Sequence, residues 1–250
     1  KGSYIITQND LENNCLVKSN IANTKKIITL GSPRFDKFYF DSKRSNFNQN
    51  NNNFTLFSFR HSIGGFKLID QNNTSGFSNY LNDGAQNYFK SVHSSIMQCA
   101  YLNKKSNFYI KTKFKNGWID RINEIKTYYQ LFYKDDLSNV IITDEIPAQD
   151  LIKKSKIIAG INSSALIEAR VLGRKVLIPI FDEVSKKMND YVYFKKYFKS
   201  EFIVCNNSNN FISSINSLLA EKFSYNRIDD LNLLDETFSF DRDGYDRYSK

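Results

Sequence analysis

Short apolar segments that alternate with stretches of helical periodicity constrain the fold of this 250-residue chain most strongly. The apolar segments are FTLFSF (54–59), NFYIKTK (107–113), NVIIT (139–143), KIIAG (156–160), KVLIPI (175–180) and EFIVC (201–205). Strands that are apolar throughout and separated by helices are typical of a parallel sheet covered on both faces. The sequence therefore predicts an α/β fold with a doubly wound parallel sheet of about six strands.

The first 45 residues have a pattern of their own. YIITQ and KIITLG are expected to form strands on either side of a helix at 9–19, and an Asn-rich tract (45–53) follows them. We predict two parts: residues 1–45 form a short β/α fragment, and residues 46–250 form the doubly wound domain.

The charge of +9 and the pI near 9.2 indicate a surface that attracts polyanions. The lysines are scattered and no nucleic-acid-binding motif is present, so we expect no nucleic acid partner, whereas weak contact with an anionic membrane stays open. No apolar run is long enough to span a bilayer, and we expect a cytoplasmic protein. Cys15, Cys99 and Cys205 lack metal-ligand spacing and are predicted to be buried thiols.

The corner after the fourth predicted strand of the domain is the first candidate binding site. Asn162, Ser163 and Ser164 precede a helix, Glu168 follows about one turn later, and Gly173 is expected to be the C-cap of this helix. Backbone N–H groups and two hydroxyls at a helix N-terminus can hold phosphate oxygens, and the glutamate can accept from ribose hydroxyls. The alternative is that one serine is only an N-cap and that Glu168 adds favourable charge.

Three other candidates lie at or just beyond the carboxyl ends of predicted strands, at the same edge of the sheet. The loop around Ile146 is a candidate for contact with a planar base, or an ordinary βα loop. SFRHSIGG (58–65) places Arg60 and His61 in the usual position of a phosphate-contacting loop, although a lone histidine is often merely solvated. Lys111 is a candidate for a diphosphate contact or a solvated edge lysine. His93 lies in the middle of a predicted helix, and its side chain is expected to pack.

Three segments resemble bacterial surface-carbohydrate glycosyltransferases of the GT-B fold, especially Kdo-transferase-like enzymes of capsule and lipopolysaccharide synthesis. The segments are LGSPRFDKF (30–38), IPAQDLIKKSKIIAGINSSALIEARVLGRKVLIPIF (146–181) and FDRDGYDR (240–247). Arg34 in the first segment is a further candidate for nucleotide contact, and the alternative is a turn with an Arg34–Asp36 surface pair. The resemblance implies a Rossmann-like domain of the GT-B C-terminal type.

The resemblance also implies roles for individual residues. Ser163 and Ser164 would bind the donor phosphate, Glu168 the ribose and Ile146 the base. The implied reaction transfers a sugar from a nucleotide-sugar, with CMP-Kdo as a candidate donor, to a polysaccharide or glycolipid acceptor without metal or cofactor. Arg60 and His61 are catalytic candidates. Because only about 45 residues precede the domain, we expect the main catalytic carboxylate and most of the acceptor domain to lie outside this chain.

Two other functions fit the same sequence. A sugar-nucleotide 2-epimerase or a polyol-phosphate transferase would use the same fold for different chemistry. A non-catalytic module would use it only to bind a nucleotide, a protein partner or a polyanion.

Overall fold

The computed structural model of the chain describes residues 4–7, 10–31, 52–59, 85–113, 118–186 and 202–221. These residues fall into two compact units. The small unit contains a βαβ segment, and the large unit contains a six-stranded sheet with its helices. Most of the Asn-rich tract, the Lys- and Tyr-rich stretch after residue 186 and the C-terminal tail lie outside the described residues. The predicted boundary at residues 45–46 also lies there and stays a prediction.

The small unit consists of β1 (Ile5–Thr7), α1 (Asp10–Lys18) and β2 (Ile27–Thr29), with a short 3-10 turn before β2. The two strands are parallel, and Thr7 lies opposite Thr29 with 3.1 Å between their hydroxyl oxygens. The prediction of two strands around a helix is confirmed.

The large unit alternates strands and helices along the described chain. The strands are β3 (Phe54–Phe57), β4 (Phe108–Lys111), β5 (Val140–Thr143), β6 (Ile157–Gly160), β7 (Lys175–Pro179) and β8 (Ile203–Cys205). The helices are α2 (Gln86–Leu102), α3 (Trp118–Tyr133), α4 (Ala148–Lys154), α5 (Ser164–Val171), α6 (Asp182–Lys186) and α7 (Ser208–Ala220). Each predicted strand of the domain is therefore present, slightly shorter than its apolar segment.

The six strands lie in the order β5-β4-β3-β6-β7-β8, and every neighbouring pair is parallel. Numbered within the sheet, this order is 3-2-1-4-5-6, which defines a doubly wound Rossmann-like sheet. The predicted fold class is confirmed. The direction in which strands are added reverses between β3 and β6. Ligands of such sheets bind beyond the carboxyl ends of the strands at this switch point.

The centre of the sheet is a buried, mainly apolar core. Phe54 and Leu56 of β3 and Phe108 of β4 have no exposed surface, and the rings of Phe54 and Phe108 lie 5.5 Å apart. The buried hydroxyl of Thr55 is 2.7 Å from that of Ser155, so this polar side chain is satisfied inside the core. The core thus holds the central strands firmly beneath the switch point.

One prediction about the cysteines is wrong. Cys99 and Cys205 are buried, but Cys15 is exposed, because it lies on α1, a mainly polar helix (DLENNCLVK). Burial raises the pKa of the Cys99 thiol to about 12, so this thiol is un-ionised and unreactive at neutral pH. Within the described ranges, no helix is both long and apolar enough to cross a membrane.

Candidate functional site

The switch point is a place where two backbones approach closely. Phe57, the last residue of β3, lies opposite Gly160, the last residue of β6. A Cβ atom on Gly160 would lie 3.0 Å from the carbonyl oxygen of Phe57 and 3.3 Å from Cδ2 of Leu166. A side chain at this position would therefore require β3, β6 or α5 to shift by a few tenths of an ångström.

The Asn-Ser-Ser corner follows directly and begins α5. Asn162 has a left-handed backbone with φ of 52°, which turns the chain out of β6. Ser163 Oγ accepts from the N–H of Ala165 at 3.3 Å, and Ser163 O accepts from the N–H of Leu166 at 3.1 Å. Ser163 is therefore the N-cap, as the structural alternative predicts. Ser164 is the first residue of α5 and is exposed.

Glu168 lies one turn into α5 and is only 1% exposed. Its predicted contact with a ribose stays a prediction. Beyond α5, Gly173 adopts a left-handed φ of 67°, and the N–H of Arg174 donates to Ala169 O at 3.0 Å. This is a Schellman cap, and it confirms the predicted role of Gly173. Both ends of α5 are thus fixed by their own caps.

Lys111 ends β4 and contacts the neighbouring β5–α4 loop. Its Nζ donates to the backbone carbonyl of Asp144 at 2.6 Å. Burial lowers the pKa of Lys111, while the nearby Asp144 carboxylate raises it. In the same loop, Thr143 Oγ1 accepts from the N–H groups of Glu145 (3.1 Å) and Ile146 (3.3 Å). Lys111 therefore holds the loop that contains Ile146, and the Ile146 amide is already engaged.

Thr112 continues β4 at the same edge of the sheet. Its N–H donates to Thr143 O at 2.9 Å, and the residue has no exposed surface. Within the part of the chain that the structure describes, its hydroxyl has no hydrogen-bond partner. A buried hydroxyl without a partner costs free energy. No local sequence pattern indicated this feature.

A buried hydrogen-bonded group lies just beyond β3. Ser58 Oγ is 2.9 Å from Nε2 of His93 on α2 and accepts from Trp118 Nε1 on α3 at 3.1 Å. The prediction that His93 lies in the middle of a helix and packs is confirmed, since it lies on α2 and has no exposed surface. Sequence reasoning missed Ser58. The available signal was a serine placed directly after a central strand.

The N-terminus of α2 is capped by a carboxylate from another element. Glu183 of α6 accepts from the N–H of Asn87 at 3.2 Å and from the N–H of Tyr88 at 2.8 Å. Tyr88 OH donates to Pro179 O at 2.8 Å, and burial raises the pKa of this phenol well above its ordinary value. The positive end of α2 is therefore neutralised by the protein itself, in contrast to the exposed start of α5.

Three predicted site residues, Arg34, Arg60 and His61, lie outside the described residues. Of the remaining candidates, the structure brings Asn162, Ser163 and Ser164 to the switch point. Lys111 and Ile146 lie near each other at the ends of β4 and β5.

No protein-family model and no curated protein sequence matches this chain. Solved structures do resemble it. A putative UDP-N-acetylglucosamine 2-epimerase from Listeria monocytogenes is 12% identical with a TM-score of 0.57. The match covers 99% of this chain and 58% of that chain. The UDP-GlcNAc 2-epimerase of Methanocaldococcus jannaschii, solved with UDP-GlcNAc and UDP, is 13% identical with a TM-score of 0.52, covering 99% and 60%.

The wall teichoic acid polymerase TagF is 11% identical with a TM-score of 0.53, and the match covers 99% of this chain and 56% of TagF. This chain therefore spans less than two thirds of the length of each of the three proteins. At such low identities the similarity shows the fold alone: a Rossmann-like domain of the GT-B type.

Proposed function

We propose that this chain is the nucleotide-sugar-binding half of a GT-B enzyme of surface-carbohydrate synthesis, which transfers a sugar from a nucleotide-sugar donor to a polysaccharide or glycolipid. The observation that carries the proposal is the Asn-Ser-Ser corner, which opens α5 at the switch point of a 3-2-1-4-5-6 sheet. The similarity in fold to nucleotide-sugar epimerases and to TagF supports the same class of ligand.

The chemistry follows from the exposed start of α5. The amide and hydroxyl of Ser164 would donate to a donor phosphate oxygen, and the positive end of the helix would favour its charge. When the bond between the sugar and the phosphate breaks, negative charge develops on the departing nucleotide. Donors that are already oriented lower the barrier to this step. Arg60 and His61 are proposed to act on the same phosphates.

The other roles are proposals about neighbouring loops. Glu168 would accept from the ribose and the Ile146 loop would contact the base, while Lys111 supports that loop through Asp144. Arg34 is proposed as an additional contact. The main catalytic carboxylate would come from the acceptor domain, and the reaction would need no metal or cofactor.

The donor is proposed at the level of a nucleotide-sugar. The sequence resemblance suggests CMP-Kdo, whereas one similar structure, the Methanocaldococcus jannaschii epimerase, was solved with UDP-GlcNAc and UDP. We further propose a cytoplasmic location with peripheral contact to an anionic membrane. The charge of +9 supports this contact, as do Tyr128, Leu131 and Phe132, which are 62%, 75% and 66% exposed on α3.

Calorimetric titration with CMP, CDP, UDP, GDP and dTDP tests the proposal. We expect one of them to bind with saturable heat, and Ser164→Ala to bind it roughly fivefold more weakly, because one hydrogen bond to phosphate is lost. Ser208→Ala is the matched control, since Ser208 is the first residue of α7 at the edge strand β8. Equal loss in both variants, or none in Ser164→Ala, would place the phosphate elsewhere. No saturable heat with any nucleotide would favour a non-catalytic module that binds a protein partner or a polyanion.

A 2-epimerase is the second candidate, favoured by the similarity to two UDP-GlcNAc 2-epimerases. Incubating UDP-GlcNAc with the full-length enzyme and no acceptor separates the two reactions. An epimerase would invert C2, which NMR of the sugar detects, whereas a glycosyltransferase would leave the donor unchanged. Transfer of glycerol phosphate from CDP-glycerol would instead indicate a polyol-phosphate transferase.

A further inference from the structure

A chain of buried hydrogen bonds joins three elements at the switch point. Trp118 Nε1 of α3 lies 3.1 Å from Ser58 Oγ, which lies 2.9 Å from His93 Nε2 of α2. The other ring nitrogen, His93 Nδ1, lies 2.7 Å from the carbonyl oxygen of Phe89. The exposed fractions are 6% for Trp118, 9% for Ser58 and zero for His93.

Each bond in this chain has one direction. The Phe89 carbonyl can only accept, so Nδ1 of His93 carries a proton and donates. Burial lowers the pKa of His93 to about 4, so the ring is neutral at pH 7 and Nε2 must accept. Ser58 therefore donates to His93 and accepts from Trp118, whose indole N–H can only donate. The Ser58 hydroxyl is held in one orientation.

Ser58 occupies a position that matters for the candidate site. It is the first residue after β3, and its N–H donates to Lys111 O at 2.9 Å. The preceding residue, Phe57, lies opposite Gly160. Gly160 is two residues before Asn162. The next residue, Phe59, stacks on Tyr88 at 4.7 Å and contacts the His93 ring at 5.7 Å. Ser58 thus fixes the backbone where β3 leaves the sheet beside the Asn-Ser-Ser corner.

We propose that Ser58 is a positioning residue of the nucleotide site, acting through His93 and Trp118 to hold the carboxyl end of β3 in its ligand-binding geometry. This inference rests on the proposed function. A fully satisfied buried polar group specifies one arrangement of the elements that it joins, whereas apolar contacts tolerate small shifts. A shift of β3 would displace the phosphate-contacting groups and weaken binding without unfolding the domain.

Nucleotide affinity in a set of serine variants tests the inference. Ser58→Ala should bind the nucleotide that the unmodified chain selects roughly fivefold more weakly, because it leaves Trp118 and His93 without their shared partner. Ser58→Thr keeps the hydroxyl and should restore the affinity to within about twofold. Ser95→Ala is the matched control. Ser95 is also buried, but its hydroxyl donates to Ser91 O within α2, and its removal should leave the affinity unchanged.

Trp118 is the only tryptophan in the sequence, so its indole N–H gives one NMR signal that reports on the Ser58 bond directly. This signal should move when nucleotide is added to the unmodified chain, and in Ser58→Ala it should be displaced before any addition. Unchanged affinity in folded Ser58→Ala would overturn the inference and leave the proposed function intact. If the unmodified chain bound no nucleotide, both would fall together.

Discussion

Acid should destabilise the large unit through His93. Burial lowers its pKa from 6.5 to about 4 in the folded chain, whereas the unfolded chain keeps a pKa near 6.5. Between these values the unfolded chain binds more protons, so the free energy of unfolding falls as the pH falls. The linkage gives a loss of about 2 kcal/mol at pH 5 and about 3 kcal/mol at pH 4, relative to pH 7.

Urea denaturation between pH 7 and pH 4, followed by the fluorescence of Trp118, measures this loss. His93→Gln supplies the control, because its amide can accept from Ser58 but does not titrate. The variant retains every carboxylate and the other histidine, His61, so the difference between the two pH profiles isolates His93. Parallel profiles would refute the reasoning, because they would mean that His93 is not held neutral by burial. A steeper profile in the variant would refute it equally.

Two substitutions near the switch point should change stability in opposite directions. Gly160→Ala places a Cβ 3.0 Å from the backbone oxygen of Phe57. It should lower the free energy of unfolding, measured by urea denaturation, by about 1–3 kcal/mol. An unchanged midpoint would show that β3 and β6 can move apart to accommodate the methyl group. Thr112→Val removes a buried hydroxyl that has no hydrogen-bond partner among the described residues. It should raise the free energy of unfolding by about 1 kcal/mol. A loss of stability would indicate that the hydroxyl is bound to water.

The sheet could be predicted because each strand has a local signal. KIIAG and KVLIPI are apolar without alternation, which indicates burial on both faces, and β6 has no exposed residue. The ends of α5 could also be predicted, since Ser163 and Gly173 are typical residues at the start and the end of a helix. Local sequence was sufficient where a residue's role depends on its neighbours in the chain.

The polar contacts that join distant elements could not be predicted. Ser58 meets His93 and Trp118, which are 35 and 60 residues away, and no periodicity links such positions. The contact from Glu183 to the start of α2 spans 95 residues. A serine or glutamate has the same local sequence pattern whether its side chain faces water or contacts a distant element.

The central position of β3 has a consequence for synthesis on the ribosome. Phe54 pairs with Phe108 on one side and with Ile157 on the other, about a hundred residues further along. At ribosomal rates of about 5–20 residues per second, β3 emerges roughly 5–20 s before β6 can cover its second edge. During this interval an apolar strand is available for pairing with another nascent chain, so the yield of folded protein should depend on chaperones that bind it early.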